Sequence, residues 1–287
     1  MTASYFFQLL VNGIIAGCGY ALVAVGWTIL LGTARLANFA HGTMYMVAAF
    51  VIWFVMSSLG LGYFPAILIS MLVLATMGLA TQLLLNRMIV EQNMTSIMIV
   101  TLGISYVLQG AAALLFSGRP QNIDSPLRPI RFVVSDVRFT LQDVAIVVLT
   151  LVLYAVVWSV RNKTKLGAWM RALAEDSKLA QLFGVNTKVL FGGIFMFEAV
   201  SVALAAGMIA PRSPILTSMG FQEVILTFVI VVFGGVGSVT GALLAGIGMG
   251  VFMAFFSALV SSAYALAALF ALMLVVLLVR PGGLAKV

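Results

Sequence analysis

A chain of 287 residues that is 63% hydrophobic and 8% charged, with mean hydropathy +1.19, lies far outside the range of water-soluble domains and has the composition of a multi-pass membrane protein. Its net charge of +7 comes from basic residues in the segments between apolar runs, with no aromatic-interleaved patch, which excludes a nucleic-acid interface. The single cysteine, Cys18, sits inside an apolar run, so neither a disulfide framework nor a thiolate metal centre is expected.

The apolar runs have the length, about 20 residues, that crosses the hydrocarbon core as a helix. No basic residue precedes Arg35, so the positive region of a cleavable signal peptide is missing. The first span, 5–31, is expected to be retained with its N-terminus outside. It carries Gly13, Gly17, Gly19 and Gly26, small residues that let another helix approach closely. A polar interruption with Arg35, Asn38 and His41 follows, then a second span at 44–58. Gly60, Gly62 and Pro65 turn the chain into a third span ending at Arg87, and a fourth runs over 95–116. Residues 117–140 carry Pro120, Pro126 and Pro129 and read as an extracytoplasmic loop. A fifth span at 141–160 leads into the most polar stretch of the chain.

That stretch, 161–188, holds Arg161, Lys163, Lys165, Arg171, Lys178 and Lys188 against Glu175 and Asp176. Its cationic excess predicts the cytoplasmic side. Asp176 is placed to cap a short helix at 177–183, and Gly184 to end it in the left-handed conformation. Gly167 opens a second helical run through Trp169, Met170, Arg171 and Leu173. A capped, partly apolar helix pair calls for a partner surface; the alternative is a loop lying on the membrane with Trp169 and Phe183 dipping in. A sixth span covers 189–210. The apolar run 221–233 is short for a span and stops at Gly234, Gly235 and Ser238, before spans at 239–260 and 262–279. The fold expected is an all-α polytopic membrane protein of eight or nine transmembrane helices, one domain over 1–287. Ten of the fifteen basic residues, Arg280 and Lys286 among them, then lie inside, and Arg119, Arg128, Arg131, Arg138 and Arg212 lie outside.

Two glycine-bearing breaks, 38–42 and 234–238, interrupt the apolar pattern, and irregular backbone at membrane depth is tolerated only against protein or a water-filled cavity. Asn38, His41, Gly42, Gly234, Gly235 and Ser238 are therefore candidates for a translocation pathway. Their similar placement hints at an internal repeat. Glu198, deep in the sixth span, joins them, because an intramembrane carboxylate is costly and marks a functional site by default. An interhelical hydrogen bond or a contact with a partner subunit explains it equally. His41 fits a structural hydrogen bond better than a proton relay, and Glu223 fits the outer interface near Arg212. Asn12 and Gln109 are neutral helix-pairing candidates.

The run GYALVAVGWTILLGTARLANFAHGTMYMVAAF, the segment GAWMRALAEDSKLAQLFGVN, the segment GFQEVILTFVIVVFGGVGSVTGA and the terminal Arg280-Pro281-Gly282-Gly283-Leu284 occur in this order. Together they resemble the branched-chain amino-acid ABC transporter permeases, specifically the H-type subunit. The resemblance implies an importer in the bacterial inner membrane. Its other parts are a second permease subunit (M-type, or a second copy), two cytoplasmic ATPase subunits and an extracytoplasmic solute-binding protein. It places the coupling helix at Gly167, Arg171, Ala172, Glu175, Asp176, Ala180, Gly184 and Asn186. The chain has no GxxxxGK[ST] phosphate cradle, so ATP and Mg are expected on the ATPase subunits and no cofactor on this chain. No catalytic or metal-ligating set is expected, which argues against a membrane enzyme. A passive channel for urea or an amide is the remaining alternative, though it would have no use for the capped helix pair.

Overall fold

The computed structural model describes residues 3–91, 93–116, 118–134, 136–280 and 283. Lys286 and the terminal Pro281, Gly282 and Leu284 lie outside the described residues. The elements in chain order are α1 (Ala3–Ala34), α2 (His41–Ser58), α3 (Tyr63–Val90), α4 (Met94–Phe116), β1 (Arg131–Val134), β2 (Val137–Thr140), α5 (Leu141–Lys163), α6 (Lys165–Glu175), α7 (Ser177–Leu182), α8 (Thr187–Ile209), α9 (Met219–Gly234), α10 (Val239–Phe256) and α11 (Ala265–Val279). Seven of these helices are long and apolar enough to cross a membrane, and α9 and α11 are apolar but shorter. The all-α reading holds apart from one antiparallel hairpin, β1–β2, which pairs Arg131 with Thr140 and Val134 with Val137 inside the expected loop.

α1 is the axis of the bundle. Its glycines serve the close packing expected of them: a β-carbon on Gly17 would come within 2.6 Å of the Ile247 Cα on α10, and one on Gly13 within 2.7 Å of the Val251 Cα. In lipid, where burying apolar surface against a neighbour gains little, such backbone-to-backbone approach supplies the packing energy. On another side α5 binds α1 by hydroxyl-to-carbonyl bonds, Thr150 Oγ1 to Cys18 O (3.0 Å) and Tyr154 OH to Ala21 O (2.9 Å). The α3–α8 pair is made the same way, with Gly78 against Phe195 and Ala199 and Tyr63 OH donating to Gly207 O. The outer faces of α3, α4, α5 and α11 expose Leu72, Leu114, Leu115, Val152 and Leu278, as surfaces that meet lipid do.

Two ends of the bundle are distinct. The hairpin end ties the start of α1 to β2 through Gln8 and Arg138 (2.8 and 3.0 Å), and Arg128 to Pro211 O (2.9 Å). The other end carries α6 and α7. α1 runs from the hairpin end to the α6 end, and α8 runs back.

The second helix begins at His41, three residues before the expected start, because Met44 N–H already bonds Ala40 O (2.8 Å). Residues 35–40 form a re-entrant limb, which Arg35 opens at φ +55°. His41 Nε2 reaches Val23 O (3.1 Å), a point roughly 16 Å back along α1 at about 1.5 Å per residue. The limb therefore climbs back to mid-bundle before α2 starts. Residues 213–218 do the reverse from the hairpin end: the Gln121–Ile215 bridge anchors them there (2.8 and 3.1 Å), and they deliver α9 to the same depth. The first turns of α2 and α9 meet, with a β-carbon on Gly220 falling 2.9 Å from Gly42 O. α1–limb–α2 and α8–limb–α9 are thus two units of opposite direction. The short run 221–233 is explained: α9 crosses only from mid-bundle to the α6 end.

Candidate functional site

At the junction of α2 and α9, Asn38, His41 and Glu198 converge, all with no exposed surface. Glu198 stands at the midpoint of α8. Its Oε1 lies 2.9 Å from His41 Nδ1, and its Oε2 accepts from Asn38 Nδ2 at 3.1 Å. Val23 O can only accept, so His41 Nε2 carries a hydrogen. Oε2 must accept from Asn38, so the one remaining proton sits between Nδ1 and Oε1. In either location the three side chains together are neutral, which is what a buried cluster away from water requires. Asn38 Oδ1 also accepts from Ala40 N–H (3.1 Å), and Phe39 N–H bonds Thr101 Oγ1 (3.1 Å), so the limb's freed backbone groups find protein partners. The Trp27 ring stacks on His41 at 5.3 Å and 16°, and its buried Nε1 has no partner among the described residues. Gly42 has no room for a side chain against Gly220 O.

The second break lies elsewhere. Gly235 (φ +99°) and Gly237 (φ +82°) turn α9 into α10 at the α6 end, and Ser238 Oγ caps α10 by accepting from Gly241 N–H (3.1 Å). Gly234 packs backbone to backbone on Gly241, Gly237 touches Gly32 at the end of α1, and Arg161 donates to Gly237 O. So the structure brings Asn38, His41, Gly42 and Glu198 together and sets Gly234, Gly235 and Ser238 apart from them. Glu223 lies in the first turns of α9, at the mid-bundle junction and not at the outer interface, while Arg212 pairs with Asp143 (3.5 Å). Ser218, just before α9, and Gln222, in its first turn, are the polar residues exposed at mid-bundle depth, and their sequence signal is only polarity at the start of an over-short span.

At the α6 end the local chemistry is explicit. Thr164 caps α6 by accepting from Gly167 N–H (3.2 Å), so α6 starts two residues before Gly167. Gly167 instead packs directly on Arg161 O, leaving no space for a β-carbon. Asp176 Oδ1 accepts from Lys178 N–H (2.7 Å) and Leu179 N–H (3.1 Å). Gly184, at φ +83°, closes α7: its N–H bonds Gln181 O (2.9 Å), and Val185 N–H bonds Ala180 O (3.1 Å). This paired closure, with Val185 and Ala180 both buried, is the Schellman arrangement. Asn186 caps α8 at Val189 N–H (3.2 Å). Arg171 donates to Arg161 O and bolts α6 to the end of α5, while Ala172 and Glu175 are exposed. The pair presents Leu179, Leu182 (82% exposed) and Phe183 (86%) outward.

The family model described as branched-chain amino acid transport system / permease component matches residues 9–278. The chain is 30% identical, over 98% of its length and 95% of the relative's, to the high-affinity branched-chain amino acid transport system permease protein BraD of Pseudomonas aeruginosa. It is equally identical, with the same coverage, to the permease protein LivH of Escherichia coli. The probable LivH of Methanocaldococcus jannaschii is 25% identical over 93% of the chain and 88% of its own length. Among solved structures, PsaBC from Streptococcus pneumoniae in complex with Fab matches at a TM-score of 0.50 and 12% identity, covering 96% of this chain and 92% of that one, a likeness of fold alone.

Proposed function

This chain belongs to the branched-chain amino acid transport system permease family, and from that premise we propose that it is the transmembrane subunit of an ATP-driven importer of branched-chain amino acids. It would sit in the bacterial inner membrane beside a second permease subunit, with the α6 end in the cytoplasm on two ATPase subunits that hold ATP and Mg. A solute-binding protein would deliver cargo to the hairpin end. The observation that carries this reading is the α6–α7 pair. It is fixed at both ends by caps, yet the rest of the fold leaves Leu182 and Phe183 uncovered, as a preformed apolar contact surface would. A groove on an ATPase would cover them.

For the route we propose the α2–α9 junction. Two helix N-termini meet there at mid-bundle, and the positive ends of helices suit the carboxylate of an amino acid. Asn38, His41, Gly42 and Glu198 hold that junction, and the exposed Ser218 and Gln222 border the path. Gly234, Gly235 and Ser238 would carry the motion of α6 to α9 through Arg161. Uptake of radiolabelled leucine into proteoliposomes containing the assembled subunits tests the proposal. Uptake should require ATP and the binding protein; uptake that runs without either would point to a passive channel.

A further inference from the structure

Beneath α6 lies an apolar cavity of about 670 Å³, bounded by Ile29, Val160, Trp169, Val189, Gly193 and Phe197. Its walls are the last turns of α5 and the first turns of α8, both within membrane-spanning helices, and α6 with the Gly184–Asn186 turn forms the roof. We propose that it holds an acyl chain of an anionic phospholipid from the leaflet on the α6 side, with the headgroup at the cationic mouth. This lies beyond the transport reading and does not depend on it.

Four observations favour this occupant. The walls open to the membrane surface of the bundle, since Val156 is 52% exposed and Val189 69%. The lining is apolar apart from Arg161 and Asn186, which stand at the α6 end where a headgroup would lie. Lys165 and Lys188 adjoin the lining residues Leu166 and Val189 in the chain, both are exposed, and neither is in an ion pair among the described residues. Trp169 is 49% exposed and Trp158, with Lys163 5.3 Å from its ring, 42%, the aromatic and cationic belt that marks a bilayer interface. The volume falls within the range of roughly 300–1,000 Å³ that holds one small molecule.

Gly193 makes the site testable, because a β-carbon there meets nothing within 4 Å and a side chain can grow into the cavity without a clash. The full-length chain, purified with whatever subunits accompany it, is placed in vesicles doped with phosphatidylglycerol or phosphatidylcholine bearing a photoreactive group at the acyl terminus. Phosphatidylglycerol should label the peptide spanning Val189 to Phe197 preferentially. Gly193→Phe should abolish that label and Gly193→Ala keep it. Lys188→Glu should lower it about fivefold or more, the change expected for one lost headgroup cation near the surface. Equal labelling by the two lipids overturns the anionic headgroup. Label that survives Gly193→Phe, or a Gly193→Cys variant that crosslinks to a copurifying polypeptide instead of to lipid, overturns the site.

Discussion

Gly42 and Gly220 meet backbone to backbone, and a β-carbon on Gly42 would also lie 2.6 Å from Val224 N. This contact holds the N-termini of two oppositely directed helices, α2 and α9, together at mid-bundle. Gly42→Ala should therefore destabilise the chain by about 1–3 kcal/mol, the usual cost of overpacking, and Gly42→Val by more. Thermal unfolding in detergent checks this, with Gly193→Ala as the control that should be neutral. A Gly42→Ala chain as stable as the parent would mean that the junction opens freely.

The shared proton between His41 and Glu198 gives a sharper contrast. In Glu198→Gln the amide oxygen can still accept from Asn38 and the amide N–H can donate to a neutral His41 Nδ1, so each hydrogen bond keeps a partner. Glu198→Ala leaves Asn38 Nδ2 and His41 Nδ1 without their partner, and each buried polar group stranded in this way typically costs about 1–3 kcal/mol. We expect near-parental stability and uptake for the glutamine variant and loss of folded protein for the alanine variant. Uptake abolished by glutamine at unchanged stability would instead make the proton itself part of transport.

These two cases mark the limit of what the sequence carries. The capped pair α6–α7 was legible because its signals are local: Asp176 before Ser177, and Gly184 after the last turn. The spans were legible from hydropathy, as were the tight faces of Gly13 and Gly17. The hairpin was legible in principle, since Arg131–Val134 and Val137–Thr140 are two β-prone runs around a turn, but the prolines upstream outweighed them. The inverted pair of limbs was not. Residues 35–40 and 213–218 share no visible pattern, and their equivalence lies in where α1 and α8 return the chain. Gly220 carries no sequence signal of its own, because its close packing shows only once Gly42 is opposite it.

Gly184 tests the coupling segment. Its φ of +83° suits glycine, and no neighbouring atom opposes a side chain, so the penalty for a substitution is purely conformational. Gly184→Val should cost at least the roughly 1–2 kcal/mol of a left-handed residue, unwind the Schellman closure and abolish ATP-driven uptake while leaving membrane insertion intact. Gly184→Asn, which tolerates that conformation, should retain much of it. Equal uptake by all three chains would remove the turn from coupling.

Arg171 was expected to face a partner, and its position is more specific. One arm is already spent on Arg161 O, and Arg161 in turn donates to Gly237 O between α9 and α10. α6 is thereby linked through two arginines to the turn that ends a half-helix reaching the mid-bundle junction. Arg171→Lys keeps the charge but presents a single compact ammonium rather than a planar fork, so it should preserve ATPase binding in detergent while lowering transport per ATP hydrolysed. Arg171→Glu should do more: it reverses the charge and leaves Arg161 O without its donor. If the role is surface attraction alone, the glutamate variant should lose the ATPase chiefly at low salt, where like charges are least screened, and the lysine variant should be silent. Uptake and ATP hydrolysis measured on the same proteoliposomes separate the two. A lysine variant with a normal ratio of transport to hydrolysis would exclude the arginine relay.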